Sequence, residues 1–210
     1  MPSPHTPLIT NADVKLNRRL YRIPATSFVV DEVATDALGS LGVGAPVITE
    51  ISTFGIAGFA MAANDEVHCY ALDFLQNVDV TAAIDVRVLW TTNGAPVATD
   101  GATFIVLYDL ADAGEALIEP ATALDTTLAE HLDGGTTAYI FHRTAAGVID
   151  ADTFDEEAKR GCLSFEIELQ AVTTFDADQV IVMGLELAYT PQYFADVNVG
   201  NTKHTLQGAV

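Results

Sequence analysis

Asp150 and Asp152 stand two residues apart in the stretch DADTFDEE (150–157), the spacing at which a calcium loop supplies its first two oxygen ligands. Phe154 then falls where a third ligand belongs, and Asp155 where the loop's tight turn needs glycine, so the stretch reads as a solvated acidic loop. The histidines, His5, His68, His131, His142 and His204, share no spacing that would gather a metal ion. His68 and His142 fall in predicted strands and read as structural. Glu166 and Glu168 share one face of a strand, but among 29 acidic residues such pairs arise by chance. No G-x-S-x-G elbow, Walker loop, H-E-x-x-H or G-x-G-x-x-G is present. Cys69 and Cys162 lack C-x-x-C spacing and read as free, buried thiols. No catalytic residue, cofactor or metal ligand is assigned, and an enzyme is not expected.

The other chemically distinctive stretch is KLNRRLYR, Lys15 to Arg22, with four of the nine basic residues of a chain whose formal charge is −20. Residues 1–30 carry +3 and residues 31–210 carry −23. Lys15, Arg18, Arg19 and Arg22 lie at i, i+3, i+4 and i+7, which on a helix is one basic face. Leu16, Leu20 and Ile23 would form an apolar stripe beside it, ended by Pro24. In extended chain the same residues divide between two sides, and of the two the helix is slightly preferred. Nucleic acid or an anionic membrane would attract the arm but be repelled by the body. An acidic protein surface has no such conflict, and every neighbouring copy presents one. Lys15, Arg18, Arg19 and Arg22 are therefore expected to bind a partner protein, in a contact that weakens at high salt.

These residues need a frame, and the hydrophobic period indicates one. In CLSFEIELQA (162–171), Leu163, Phe165, Ile167, Leu169 and Ala171 face one way, with Ser164, Glu166, Glu168 and Gln170 opposite. Period two over this length is a strand with one wet face. IDVRVLW (84–90) repeats it, with Ile84, Val86, Val88 and Trp90 inward. After the Asn-Gly and Asp-Gly loop of TTNGAPVATDG, TFIVLYD (103–109) is expected to return as an antiparallel neighbour. VHCYALDF (67–74), TAYIFHR (137–143) and QVIVMGLELAYT (179–190) complete the strands. The last is apolar on both faces through Met183, as a central strand should be. Helical signal is thin: one short helix over 29–39, a turn or two over 152–161, and an undecided pattern of Leu124, Leu128 and Leu132.

Half of the 210 residues are apolar, enough for a real core. The acidic bias suits a salty milieu, where surface carboxylates keep a protein soluble. The opening MPSPHTPLIT has neither a basic n-region nor an apolar h-region, so no signal peptide is expected. The longest apolar stretch, FGIAGFAMAA (54–63), is too short to span a bilayer. The expected organisation is an N-terminal arm and linker at 1–62, an antiparallel two-sheet sandwich at 63–192, and a tail at 193–210.

The order of pieces from Tyr70 onward carries a resemblance. ALDF, the Trp-ended IDVRVLW, FIVLYDLADAGEAL, TALDTTLA, CLSFEIELQA and the closing VIVMGLELAYTP follow one another. Over roughly Val67–Pro191 this pattern resembles the single jelly-roll domain of virion structural proteins in tailed bacteriophages and related viruses. The resemblance implies an all-β jelly-roll sandwich with extended arms. It further implies a capsid decoration (cement) protein on the virion exterior, made in the host cytoplasm. The implied partners are its own copies in a homotrimer and the major capsid protein or other virion proteins, with no nucleic acid and no membrane. A jelly-roll major capsid protein and a glycan- or receptor-binding virion module are the alternatives. The second is disfavoured because the only Trp, Trp90, lies on the apolar side of its strand.

Overall fold

The computed structural model describes residues 18–30, 46–51, 56–72, 74–95, 100–112, 114–116, 120–124, 128–131, 137–154, 161–173 and 179–192. Lys15, the predicted helical stretch beyond Val30 and the tail 193–210 lie outside them. Along the described chain run β1 (Arg19–Pro24), β2 (Val29–Val30), β3 (Val47–Ile51), β4 (Ile56–Met61), β5 (Glu66–Leu72), β6 (Ile84–Thr92) and β7 (Gly101–Ala111). They continue with β8 (Thr122–Ala123), β9 (Leu128–His131), β10 (His142–Arg143), β11 (Gly147–Ile149), β12 (Cys162–Thr173) and β13 (Val180–Tyr189). Two short 3-10 turns, Ala25–Ser27 and Phe74–Asn77, interrupt them.

The strands form two antiparallel sheets. The first runs β10-β6-β13-β4-β3, with β11 also on β6 and β1 also on β13. The second runs β2-β5-β12-β7-β8, with β9 also on β7. Alternation explains why these residues make these layers. Leu163, Phe165, Ile167 and Leu169 of β12 enter one core with Ile84, Val86 and Val88 of β6 and Phe104 and Val106 of β7. Trp90 meets Phe104 edge-on across that core, ring centroids 5.8 Å apart. Each large apolar side chain buried this fully contributes about 1.5–3 kcal/mol. β13 is central, with β6 along one edge and β4 and β1 along the other. That position demands apolar residues on both sides, and Ile181 and Val182 are both buried.

Three expectations need correction, and one open pattern is decided. β6 and β7 are not neighbours in one sheet: β6 pairs with β13, β10 and β11, β7 with β12, β8 and β9. Alternation orients a strand's inner face but does not choose its partner, and the two strands face each other across the core. The undecided stretch carries β8 just before Leu124 and β9 from Leu128, with both leucines buried. The sheets also reach upstream of residue 63, taking in β1, β2, β3 and β4. Arg19–Pro24 is a strand rather than a helix because its backbone pairs with the free edge of β13, from Arg19 opposite Tyr189 to Pro24 opposite Gly184. Gly184 makes that approach possible: a Cβ there would lie 2.6 Å from the Ile23 carbonyl oxygen.

Candidate functional site

Extended chain separates the arm's basic residues. Arg18 and Arg22 reach the outer face of the first sheet, while Ile23 enters the core. Arg18 pairs with Asp85 at 2.5 Å and donates to the Ala83 and Ala188 carbonyls at 2.7 and 2.8 Å. Arg22 donates through Nε to Glu186 Oε2 at 2.9 Å, and Arg143 of β10 engages the other carboxylate oxygen. Arg87 approaches Asp85 at 3.6 Å. Four arginines, from β1, β6, β10 and the position just before β1, thus face two carboxylates of β6 and β13. The Glu186 side chain is 0% exposed, so its charge needs these partners. Two of the four residues assigned to partner binding, Arg18 and Arg22, therefore meet acidic groups of their own chain. Arg19 lies on the other side of β1, and Lys15 lies outside the described residues.

A second cluster, which sequence reasoning missed, sits on the outer face of the second sheet. Glu166 of β12 stands opposite His68 of β5, and Glu66 lies two positions before His68 on the same face. One ligand atom from each of the three lies within 4.8 Å of the others. Glu166 and His68 are buried although they project from the outer face. The available signal was the spacing E-x-H within one strand. Its completion by Glu166 depends on the pairing register of β5 with β12, which no local pattern reveals.

The first sheet's outer strands carry exposed apolar side chains. On β3, Val47 is 63% and Ile48 64% exposed. At the opposite edge, Tyr139, Ile140 and Phe141 lead into β10, Phe141 at 54% exposure. This segment is held along β6 by Tyr139 N–H donating to the Thr92 carbonyl at 2.9 Å and by Thr91 Oγ1 donating to the Ile140 carbonyl at 2.7 Å. Tyr139 takes a φ of +59°, a conformation non-glycine residues adopt only when their surroundings impose it. Beside β3, Ala25, Thr26, Ile48, Ala57, Gly58 and Phe59 line an apolar hollow of about 260 Å³.

Several other sequence candidates lie among the described residues. Phe154, standing where a calcium loop would need a ligand, is buried against Tyr108 with ring centroids 6.1 Å apart. Trp90 is wholly buried and His142 lies against its ring at 4.8 Å, so Trp90 offers no sugar-stacking face. Cys69 is buried and Cys162 half-buried, both as free thiols, and burial pushes both thiol pKa values up. Among the described residues no helix is long and apolar enough to cross a membrane.

No family model matches the chain, and no curated protein matches it. Among solved structures it is similar to the mosquito-larvicidal Cry4Aa toxin from Bacillus thuringiensis, with a TM-score of 0.43 and 10% identity over 82% of this chain and 23% of that one. The chain spans less than a quarter of the toxin, and so slight a likeness carries no argument about function.

Proposed function

We propose that the protein is a virion structural protein, a capsid decoration protein that assembles as a homotrimer on the outside of the shell. The observation that carries this reading is the pair of apolar edges on the first sheet. Exposed strand edges invite pairing with another chain and are normally charged or covered. Here one edge offers Val47 and Ile48 beside a hollow, and the other offers Tyr139 to Phe141. Different patches at opposite edges suit a head-to-tail contact, which closes into a ring when the rotation allows. The strand order supports a jelly roll as the finer description of the fold. β4-β13-β6-β10/β11 would be one four-strand layer and β5-β12-β7-β8/β9 the other, the pattern of two interleaved Greek keys.

In such a protein the sheets supply a rigid body and assembly supplies the function. Each subunit bridging its neighbours and the shell adds buried area, and multivalent attachment makes release of any one contact inconsequential. Sedimentation of the purified chain at micromolar concentration should show one species near three times the 22.3 kDa chain mass. That species should bind emptied capsids of its virus and no glycan. A monomer at every concentration, or a trimer that ignores capsids, would overturn the proposal.

A further inference from the structure

We propose that Glu66, His68 and Glu166 form a binding site for one divalent transition-metal ion of the zinc class, on the outer face of the second sheet. The donor set is mixed, one imidazole nitrogen and two carboxylate oxygens, as first-row ions such as Zn²⁺ accept. Because the three ligand atoms lie within 4.8 Å of one another, some point lies within about 2.8 Å of all three. Metal bonds to these donors are about 2.0–2.2 Å, so small side-chain rotations close the difference. Calcium fits less well, since it takes six to eight oxygen ligands and the set includes an imidazole.

The frame holding the donors is rigid. β5 and β12 are interior strands of their sheet, paired residue by residue from Cys162 opposite Leu72 to Glu168 opposite Glu66. His68 and Glu166 are therefore fixed across one rung, and Glu66 on the next rung of the same face. Charge gives the reason for an ion. Two carboxylates face one imidazole, Glu166 is 5% and His68 9% exposed, and Glu168 stands opposite Glu66. Like charges across a rung destabilise a sheet. A divalent ion beside the imidazole would offset both carboxylate charges. The bound ion would staple β5 to β12 and keep further coordination positions for water. None of this depends on whether the protein decorates a capsid.

The test uses the full chain, stripped with a chelator, dialysed and titrated calorimetrically with Zn²⁺. One ion per chain should bind saturably and raise the melting temperature. His68→Gln and Glu166→Gln should each weaken binding at least tenfold, while Glu50→Gln on the other sheet leaves it unchanged. Paramagnetic Co²⁺ locates the site without any variant: NMR signals of β5 and β12 should be the first perturbed. No saturable Zn²⁺ binding, as expected if a protonated His68 alone balances the carboxylates, would overturn the proposal. So would perturbation centred elsewhere, or full-strength binding in both variants.

Discussion

Glu186 shows what a single charge demands of this fold. Its side chain is wholly buried on β13, and Arg22 and Arg143, from different strands, bring positive charge to its two oxygens. Both arginines are partly exposed, so solvent tempers each pair, and loss of one leaves the other in place. Arg22→Ala or Arg143→Ala should therefore cost about 1 kcal/mol each. The double variant strands a buried carboxylate and should cost about 3–5 kcal/mol, more than the sum. Urea melts of the four proteins check this, and strict additivity would mean Glu186 finds other support. The thiols make a second case. Burial raises both pKa values, and a raised thiol pKa means less thiolate, the reactive form. Half-buried Cys162 should react slowly with an aromatic disulfide at pH 8, and buried Cys69 only on unfolding. Two equally fast thiols in the native protein would contradict the burial of Cys69.

At the scale of elements, long alternating stretches are legible locally and pairings with a distant partner are not. The short stretch TAYIFHR (137–143) reads as one strand but forms one only at His142–Arg143. β12 announces itself because Leu163 to Leu169 alternate with Ser164, Glu166 and Glu168, and β13 because its first half is apolar on both sides. β1 could not be read this way. Its arginines fit a helical face as well as an extended strand, and the deciding fact is a free edge on β13 far along the chain. The same blindness put β6 beside β7 and hid the approach of Glu166 to Glu66 and His68. Gly184 tests how β1 is held. Gly184→Ala would place a methyl group 2.6 Å from the Ile23 carbonyl oxygen, a backbone atom that cannot swing aside. The substitution should cost about 1–3 kcal/mol, as overpacking does. Hydrogen exchange should show the loss first at the amides of β1, and uniform loss across both sheets would mean β1 does not detach as a unit.

For the whole molecule, the internal pairing of Arg18 and Arg22 changes how assembly should respond to salt and to mutation. A contact made by basic arm and acidic neighbour would weaken as salt rises. Apolar edges joining copies that each carry −20 should behave oppositely, because salt screens the repulsion opposing assembly. The proposed trimer should therefore be tighter in about 0.5 M salt than in about 0.05 M, a comparison sedimentation equilibrium makes directly. Arg18→Glu should now lower the melting temperature, since it loses Asp85 and two backbone carbonyls. The edges can be tested against each other. Ile48→Lys would put a charge at every interface of the proposed head-to-tail ring and should give monomer, as should Phe141→Glu at the other side of the same proposed interface. In the chain carrying both, each interface sets the introduced lysine of one copy near the introduced glutamate of the next. Assembly should then return in part, now weakened by salt. A two-fold contact of β3 with β3 would instead bring lysine to lysine, and the double variant would stay monomeric. Recovery in the double variant supports the ring; its failure, with each single variant folded and monomeric, rules the head-to-tail arrangement out.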